Sequence, residues 1–229
     1  MNIPPSFPLY SQPIVVALFV RVPIPGRVKT RLAVNLGNEG ACHLYRAMVN
    51  DILHNIKACG YSIYLFHDGD DQSELPDNWR QAADGIVAQR GENIGERMSA
   101  AFEHCFANKV EKVILIGSDI PGLDSSIIIS ASVALQNHDA VFAPAADGGY
   151  CLIGLQQGAY HPALFQDIPW STEQVLRTTL EKCEVSCLRV TLLKVLQDID
   201  TICDLKAYCQ NIFGPAIATN RYLTSAGFL

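Results

Sequence analysis

Apolar and polar positions along this chain fall into short blocks that predict alternating strands and helices. Val15–Val20 (VVALFV) is an unbroken apolar run, the pattern of a parallel strand covered on both faces. Ala41, Leu44, Tyr45, Met48, Val49, Ile52, Leu53 and Ile56 then recur at helical spacing and predict an amphipathic helix ended by Gly60. Tyr61–Phe66 reads as a second strand and Gly85–Gln89 as a short one. Gly95–Phe106 reads as a helix, and Lys112–Gly117 (KVILIG) as a buried strand. Asp124 or Ser125 could cap a helix over Ile127–Leu135, and Asp139–Ala143 is strand-like. Ser171-Thr172-Glu173-Gln174 fits a capping box, with Trp170 and Val175 placed for a hydrophobic staple. A strand near Cys187–Leu193 and a helix near Ile202–Ile212 follow. The segment after Gly214 is expected to be a mobile or docking tail.

This alternation predicts an α/β fold with an open, largely parallel sheet and helices on both faces. A length of 229 residues suits one domain over 1–229, with a core near 13–213 and a tail at 214–229. Ligands of such sheets bind beyond the carboxyl ends of the strands, where the polar segments of this chain fall.

Composition narrows the function classes. Hydrophobic residues make up 49% and charged ones 17%, which builds a core and does not describe a disordered chain. A net charge of −6 gives no support for a nucleic-acid footprint, though it leaves room for a small basic pocket. No stretch reaches the roughly 20 apolar residues of a membrane span. Residues 1–12 carry no Lys or Arg, so the first apolar run reads as a strand rather than a signal peptide, and a cytoplasmic location is expected. None of the eight cysteines forms C-x-x-C, so reduced, mostly buried thiols are expected. Cys183 and Cys187 stand one helical turn apart without a matching His or Cys pair beside them.

Four segments carry candidate chemistry. After the first strand, Arg21-Val22-Pro23-Ile24-Pro25-Gly26-Arg27-Val28-Lys29-Thr30-Arg31 holds four cations in 11 positions of an otherwise acidic chain. Pro25 stiffens this loop and Gly26 permits a tight bend. Lys29 and Arg31 bring mobile positive charge near a helix start, an arrangement suited to polyphosphate. Neither the Walker pattern nor G-x-G-x-x-G is present. Gly117-Ser118-Asp119-Ile120-Pro121 ends a buried strand in a carboxylate, which a Mg²⁺ shared with phosphate oxygens would satisfy and which a neighbouring turn could also use. Ala146-Asp147-Gly148-Gly149-Tyr150 reads as a hairpin turn that could also form a pocket wall. In Asp198-Ile199-Asp200-Thr201, Asp200 or Thr201 could cap the last helix, or Asp200 could present a carboxylate to a metal. Two weaker segments, Gln89–Met98 with Gly95 and Arg97, and Trp170-Ser171-Thr172, could read an acceptor or be only a loop and a staple. The acidic stretch Asp68–Asp71 reads as a solvated loop.

Together the segments F-V-R-V-P-I-P-G-R-V-K-T-R-L (19–32), Q-R-G-E-N-I-G-E-R-M (89–98), G-S-D-I-P (117–121), A-D-G-G-Y (146–150), W-S-T (170–172) and D-I-D-T (198–201) resemble a bacterial glycosyltransferase-like family associated with arsenosugar clusters. That family is similar to 2-phospho-lactate guanylyltransferase and, more distantly, to the molybdenum-cofactor guanylyltransferases. The resemblance implies a GT-A-like three-layer α/β/α sandwich. It assigns Arg21, Pro25, Gly26, Lys29, Arg31, Gln89, Gly95, Arg97 and Ser118 to the nucleotide. Asp147, Gly148, Gly149, Trp170, Ser171 and Thr172 fall on the acceptor side, and Asp119 and Asp200 on a Mg²⁺ or Mn²⁺ ion. Lys29, Arg31 and Asp119 would carry catalysis. Arg21 stands where that family more often has Lys, which keeps the charge and changes the hydrogen-bond geometry.

The expected function is metal-dependent transfer from a nucleotide donor to a small-molecule acceptor, as nucleotidyl or glycosyl transfer. The alternative is a non-catalytic nucleotide-binding module on the same fold. A Ser- or Cys-dependent hydrolase has no G-x-S-x-G behind it. No nucleic-acid partner is expected, and the apolar segment 213–229 could dock on a partner subunit as a homodimer.

Overall fold

A computed structural model describes residues 14–211 and 216–229. The first apolar run becomes β1 (Ile14–Val20), buried at every position after the first. The chain continues through α1 (Thr30–Ala58), β2 (Ser62–His67), α2 (Asp77–Ala82), β3 (Gly85–Ala88) and α3 (Ile94–Ala107). It then forms β4 (Lys112–Ile116), α4 (Ser125–Ala134), β5 (Ala140–Pro144), β6 (Tyr150–Gln156) and α5 (Val175–Val185), and closes with β7 (Val190–Leu192), α6 (Ile202–Gln210) and α7 (Ile217–Ser225).

The strands form one seven-stranded sheet in the order β3-β2-β1-β4-β6-β5-β7. β1 pairs in parallel with β2 and β4, β2 with β3, and β5 with β7. β6 runs antiparallel to both of its neighbours, β4 and β5. From β1 the chain builds outward to β2 and β3, then crosses to the other side at β4. The topological switch point therefore lies between β1 and β4, where open α/β sheets leave a crevice at the strands' carboxyl ends. Because β6 is reversed, its amino end joins that same edge.

Alternation along β1 divides the core in two, as a period of two requires. Val16, Leu18 and Val20 face Leu44, Met48 and Ile52 of α1, Ile128 of α4, Leu205 of α6 and Leu223 of α7. Val15, Ala17 and Phe19 face Met98, Phe102 and Cys105 of α3 and Cys183 of α5. Phe102 stacks between Phe106, Tyr160 and Phe165, with ring centroids 5.7–6.1 Å apart.

Several expectations change. α1 begins at Thr30, at the helix start expected near Lys29 and Arg31, and runs on into the stripe that begins at Ala41, with a break in its helical geometry at Gly37 (φ 72°). Of residues 30–40 only Leu32 is buried, so no apolar stripe marks that first part. α2 and β6 were not expected; β6 follows directly on the Asp-Gly-Gly turn, which confirms the hairpin reading of that segment. The predicted capping box at residues 171–174 does not form: α5 starts at Val175 without a side-chain cap, and Thr172 Oγ1 donates instead to the Pro169 carbonyl. The tail packs on its own chain, since α7 lies against α1 with Leu223 fully buried. Asp51 of α1, 6% exposed, accepts from Ala218 N and Thr219 N, both at 2.8 Å, at the start of α7. The end of the predicted helix at Ile212 and the first residues of the tail fall outside the described residues, as do residues 1–13. All eight cysteines are free, Cys183 and Cys187 included. No helix among the described residues is long and apolar enough to cross a membrane.

Candidate active site

The loops after β1 and β4 meet at the switch point. Lys29 stands at the N-terminal boundary of α1 in left-handed backbone geometry (φ 49°), uncommon for a residue with a side chain. Its side chain is only 6% exposed. Its Nζ donates to Asp119 Oδ2 at 2.8 Å and to Asp200 Oδ1 at 2.6 Å. Burial works against the charge on this ammonium, but the two carboxylates outweigh it and hold its pKa above the usual lysine value. The positive charge that was expected to be mobile is thus fixed. Arg31 remains exposed, 3.8 Å from Asp200.

Asp200 reaches this point because the segment after β7 lies along the end of β5: Leu196 N donates to the Pro144 carbonyl (2.8 Å) and Ile199 N to the Asp119 carbonyl (3.0 Å). The choice between Asp200 and Thr201 as a cap is resolved by a capping box in which Thr201 and Asp204 bond reciprocally. Asp204 Oδ2 also accepts from Asp200 N, and the Asp200 side chain turns to Lys29. Burial raises the Asp200 carboxyl pKa, yet Lys29, Arg31 and Arg21 bring it below the usual value.

Asp198 joins this group. It belongs to the D-I-D-T segment, and the signal for it is the spacing of two from Asp200, which in an extended stretch puts both carboxylates on one side. Asp119, Asp198 and Asp200 each offer an oxygen within 4.8 Å of the others. Burial, then the charges of Asp119 and Asp200, push the Asp198 carboxyl up to about 6. Lys29 answers two of the three carboxylates, and the remaining hard oxygen donors suit a divalent ion such as Mg²⁺ or Mn²⁺.

Two clefts open on either side of Asp119. The first, about 280 Å³, is lined by Arg21, Val28, Lys29, Thr30, Arg31, Tyr45, Ser118, Asp119 and Asp200. Tyr45 went unnoticed in the sequence because its spacing marks it as a core residue of α1. Its buried hydroxyl accepts from Arg21 N (2.8 Å) and lies 2.9 Å from Ser118 Oγ, so it ties the two loops together. The second cleft, about 300 Å³, is lined by Phe19, Ile94, Met98, Tyr150, Trp170 and other apolar groups, with Asp119, Asp147, Gly149, Ser171, Thr172 and Asp198. Gly148 (φ 90°) lets the hairpin close on the next turn, since a Cβ there would run into the Glu173 carbonyl. A Cβ on Gly95 would come 2.5 Å from the Trp170 ring, so Gly95 gives that ring its place on α3.

The remaining predicted residues line neither cleft. Pro25 and Gly26 (φ 81°) occupy the centre of a turn closed by Arg27 N to the Ile24 carbonyl, 2.9 Å, as a type II turn requires. Gln89 Nε2 donates to the carbonyls of Phe66 (2.8 Å) and Val20 (3.4 Å) and fastens the ends of β2 and β1. Arg97 bonds the Gly91 carbonyl and faces a separate hollow beside Arg90 and His104.

This architecture recurs in solved nucleotide-dependent transferases. A protein from Desulfovibrio desulfuricans G20, provisionally named a nucleotide-diphospho-sugar transferase, is 32% identical with a TM-score of 0.84, over 93% of this chain and 96% of that one. Two more distant likenesses show the fold alone. The 4-diphosphocytidyl-2C-methyl-D-erythritol synthase of Anaerococcus prevotii DSM 20548 has a TM-score of 0.56 at 12% identity, covering 93% and 99% of the two chains. The glucosyl-3-phosphoglycerate synthase of Mycobacterium tuberculosis, solved with Mn²⁺ and uridine diphosphate, has 0.52 at 11%, covering 94% and 79%. The fold is the GT-A-like α/β sandwich of nucleotide-diphospho-sugar transferases. Residues 52–172 match the model of a family of uncharacterized proteins conserved in bacteria, DUF2064, and the chain belongs to that family. No protein of curated function matches it in sequence.

Proposed function

We propose that the protein transfers a group from a nucleotide donor to a small-molecule acceptor, with a divalent ion at the carboxylate cluster, in the cytoplasm. The observation that carries this reading is the meeting of Lys29, Asp119, Asp198 and Asp200 at the switch point, between a basic and an apolar cleft. Arg21, Lys29 and Arg31 bind the donor's phosphates, and the hydroxyls of Tyr45 and Ser118 keep their loop in place. Asp119, Asp198 and Asp200 would hold Mg²⁺ or Mn²⁺, which when bound neutralises phosphate charge as a Lewis acid. The acceptor enters from the side of Asp147 and Trp170. Either version of the transfer depends on fixed charge at phosphate oxygens more than on covalent chemistry, and Lys29 supplies such a charge already desolvated.

Thermal unfolding with each nucleoside triphosphate and a panel of nucleotide sugars, with and without Mn²⁺, tests the reading through mass action on the native state. A metal-dependent rise with at least one donor, lost in Asp119→Ala while the variant stays folded, is the expected outcome. A rise with a triphosphate alone favours nucleotidyl transfer, and one with a nucleotide sugar alone favours glycosyl transfer. A rise that is unaffected by both metal and Asp119→Ala would instead point to a non-catalytic nucleotide-binding module.

A further inference from the structure

We propose that the apolar cleft receives the second substrate as an alcohol without phosphate or carboxylate: an uncharged or cationic hydroxyl compound with an apolar face. The word substrate rests on the transfer reading above; the chemistry of the cleft does not. Among the residues lining this cleft there is no Lys, Arg or His, and its charged members are Asp119, Asp147 and Asp198. Its walls come from Phe19, Met98, Tyr150 and Trp170. The neighbouring cleft has the opposite character, with Arg21, Lys29 and Arg31 around its opening. Charge is thus divided at Asp119, with cations on one side and carboxylates with aromatic rings on the other.

An anion placed among these rings would lose part of its water without gaining a cation, an unfavourable exchange. A divalent ion at Asp119, Asp198 and Asp200 would not reverse the balance: with Lys29 it would only match those three carboxylates, and Asp147 would still leave this side negative. A hydroxyl group, by contrast, finds acceptors. Asp147 Oδ1 accepts from Gly149 N at 3.0 Å, and its other oxygen has no hydrogen bond among the described residues. The aromatic side chains offer cover to apolar carbons, and aromatic rings attract a cationic centre. In the transfer, the alcohol oxygen forms the new bond to the donor, and the bond from that donor atom to its bridging phosphate oxygen breaks. The electron pair leaves on the phosphate product, and the hydroxyl proton passes to a cleft carboxylate and then to water.

Saturation-transfer NMR on the full chain with Mg²⁺ tests this, with saturating pyrophosphate added to occupy the basic cleft. The neutral and cationic probes are myo-inositol, methyl glucoside, ethanolamine and choline; the anionic ones are glucose 1-phosphate, glycerol 3-phosphate and lactate. Saturation should reach at least one neutral or cationic probe. Binding of that probe should weaken about tenfold or more in Asp147→Ala, the loss of a bond to a charged group. Trp170→Phe, which keeps the cleft filled, should weaken it less. Transfer confined to the anionic probes, transfer to none, or binding unchanged in both variants overturns the proposal. Nucleotide-induced thermal shifts on the same samples separate the two readings. If shifts occur without probe binding, the alcohol proposal alone fails. If probe binding persists without any nucleotide shift, the transfer reading fails and the cleft chemistry stands.

Discussion

Lys29 is the residue on which the polar cleft turns. Its ammonium sits between Asp119 and Asp200, so it already occupies part of the space in which those carboxylates could bind a metal ion. A phosphate arriving in the basic cleft offers that ammonium a second partner and frees the carboxylates. Metal and nucleotide should therefore bind more tightly together than apart, a linkage that works equally in both directions. Lys29→Met is expected to strengthen Mn²⁺ binding measured calorimetrically without nucleotide. It should also slow turnover on the order of 10²-fold, as loss of a shielded cation does. Unchanged Mn²⁺ affinity in that variant would remove Lys29 from the cation site.

Among the elements, the start of α6 matters most for the site, because the reciprocal bonds of Thr201 and Asp204 also fix Asp200 N. Thr201→Ala should cost about 1 kcal/mol in chemical denaturation, the usual worth of an N-cap. At the sheet's far edge, Arg189 ties the segment before β7 to the segment before β5 through two side-chain bonds to Asp139, at 2.9 and 3.0 Å. These hydrogen bonds hold the Asp139 carboxyl below its usual pKa. The stabilisation is complete above the ordinary carboxylate range and is lost as pH falls through the lowered value, so Asp139→Asn should flatten the acid side of the stability curve. Strands such as β1 and β4 were legible because both faces are buried and leave unbroken apolar runs. The first turns of α1 carry no such stripe because they are largely solvated, and only the basic motif around Lys29 and Arg31 marks where they start. Asp119 and Asp200 could be picked out because each follows a strand in a polar motif. Their pairing with Lys29 depends on contacts 90 and 171 residues apart, which no local pattern encodes. Asp198 and Tyr45 stayed hidden for a related reason: an extended stretch and a helical stripe each supply a plausible structural role.

For the whole molecule, α1 joins the site to the chain's end. Its first residues line the basic cleft and its middle carries Asp51, whose two bonds to α7 would be left unmet if that helix detached. Asp51→Ala should cost about 1–3 kcal/mol, the penalty of stranding buried polar groups, read as a lower midpoint in urea. The two clefts share Asp119 and no other lining residue. One draws on residues 21–31, 45, 118 and 200, and the other on residues 94–98, 145–153 and 170–175 among its sources. A lineage could therefore redraw the hairpin and the Trp170 turn, and so exchange one molecular clientele for another, while the opposite half kept its inherited grip.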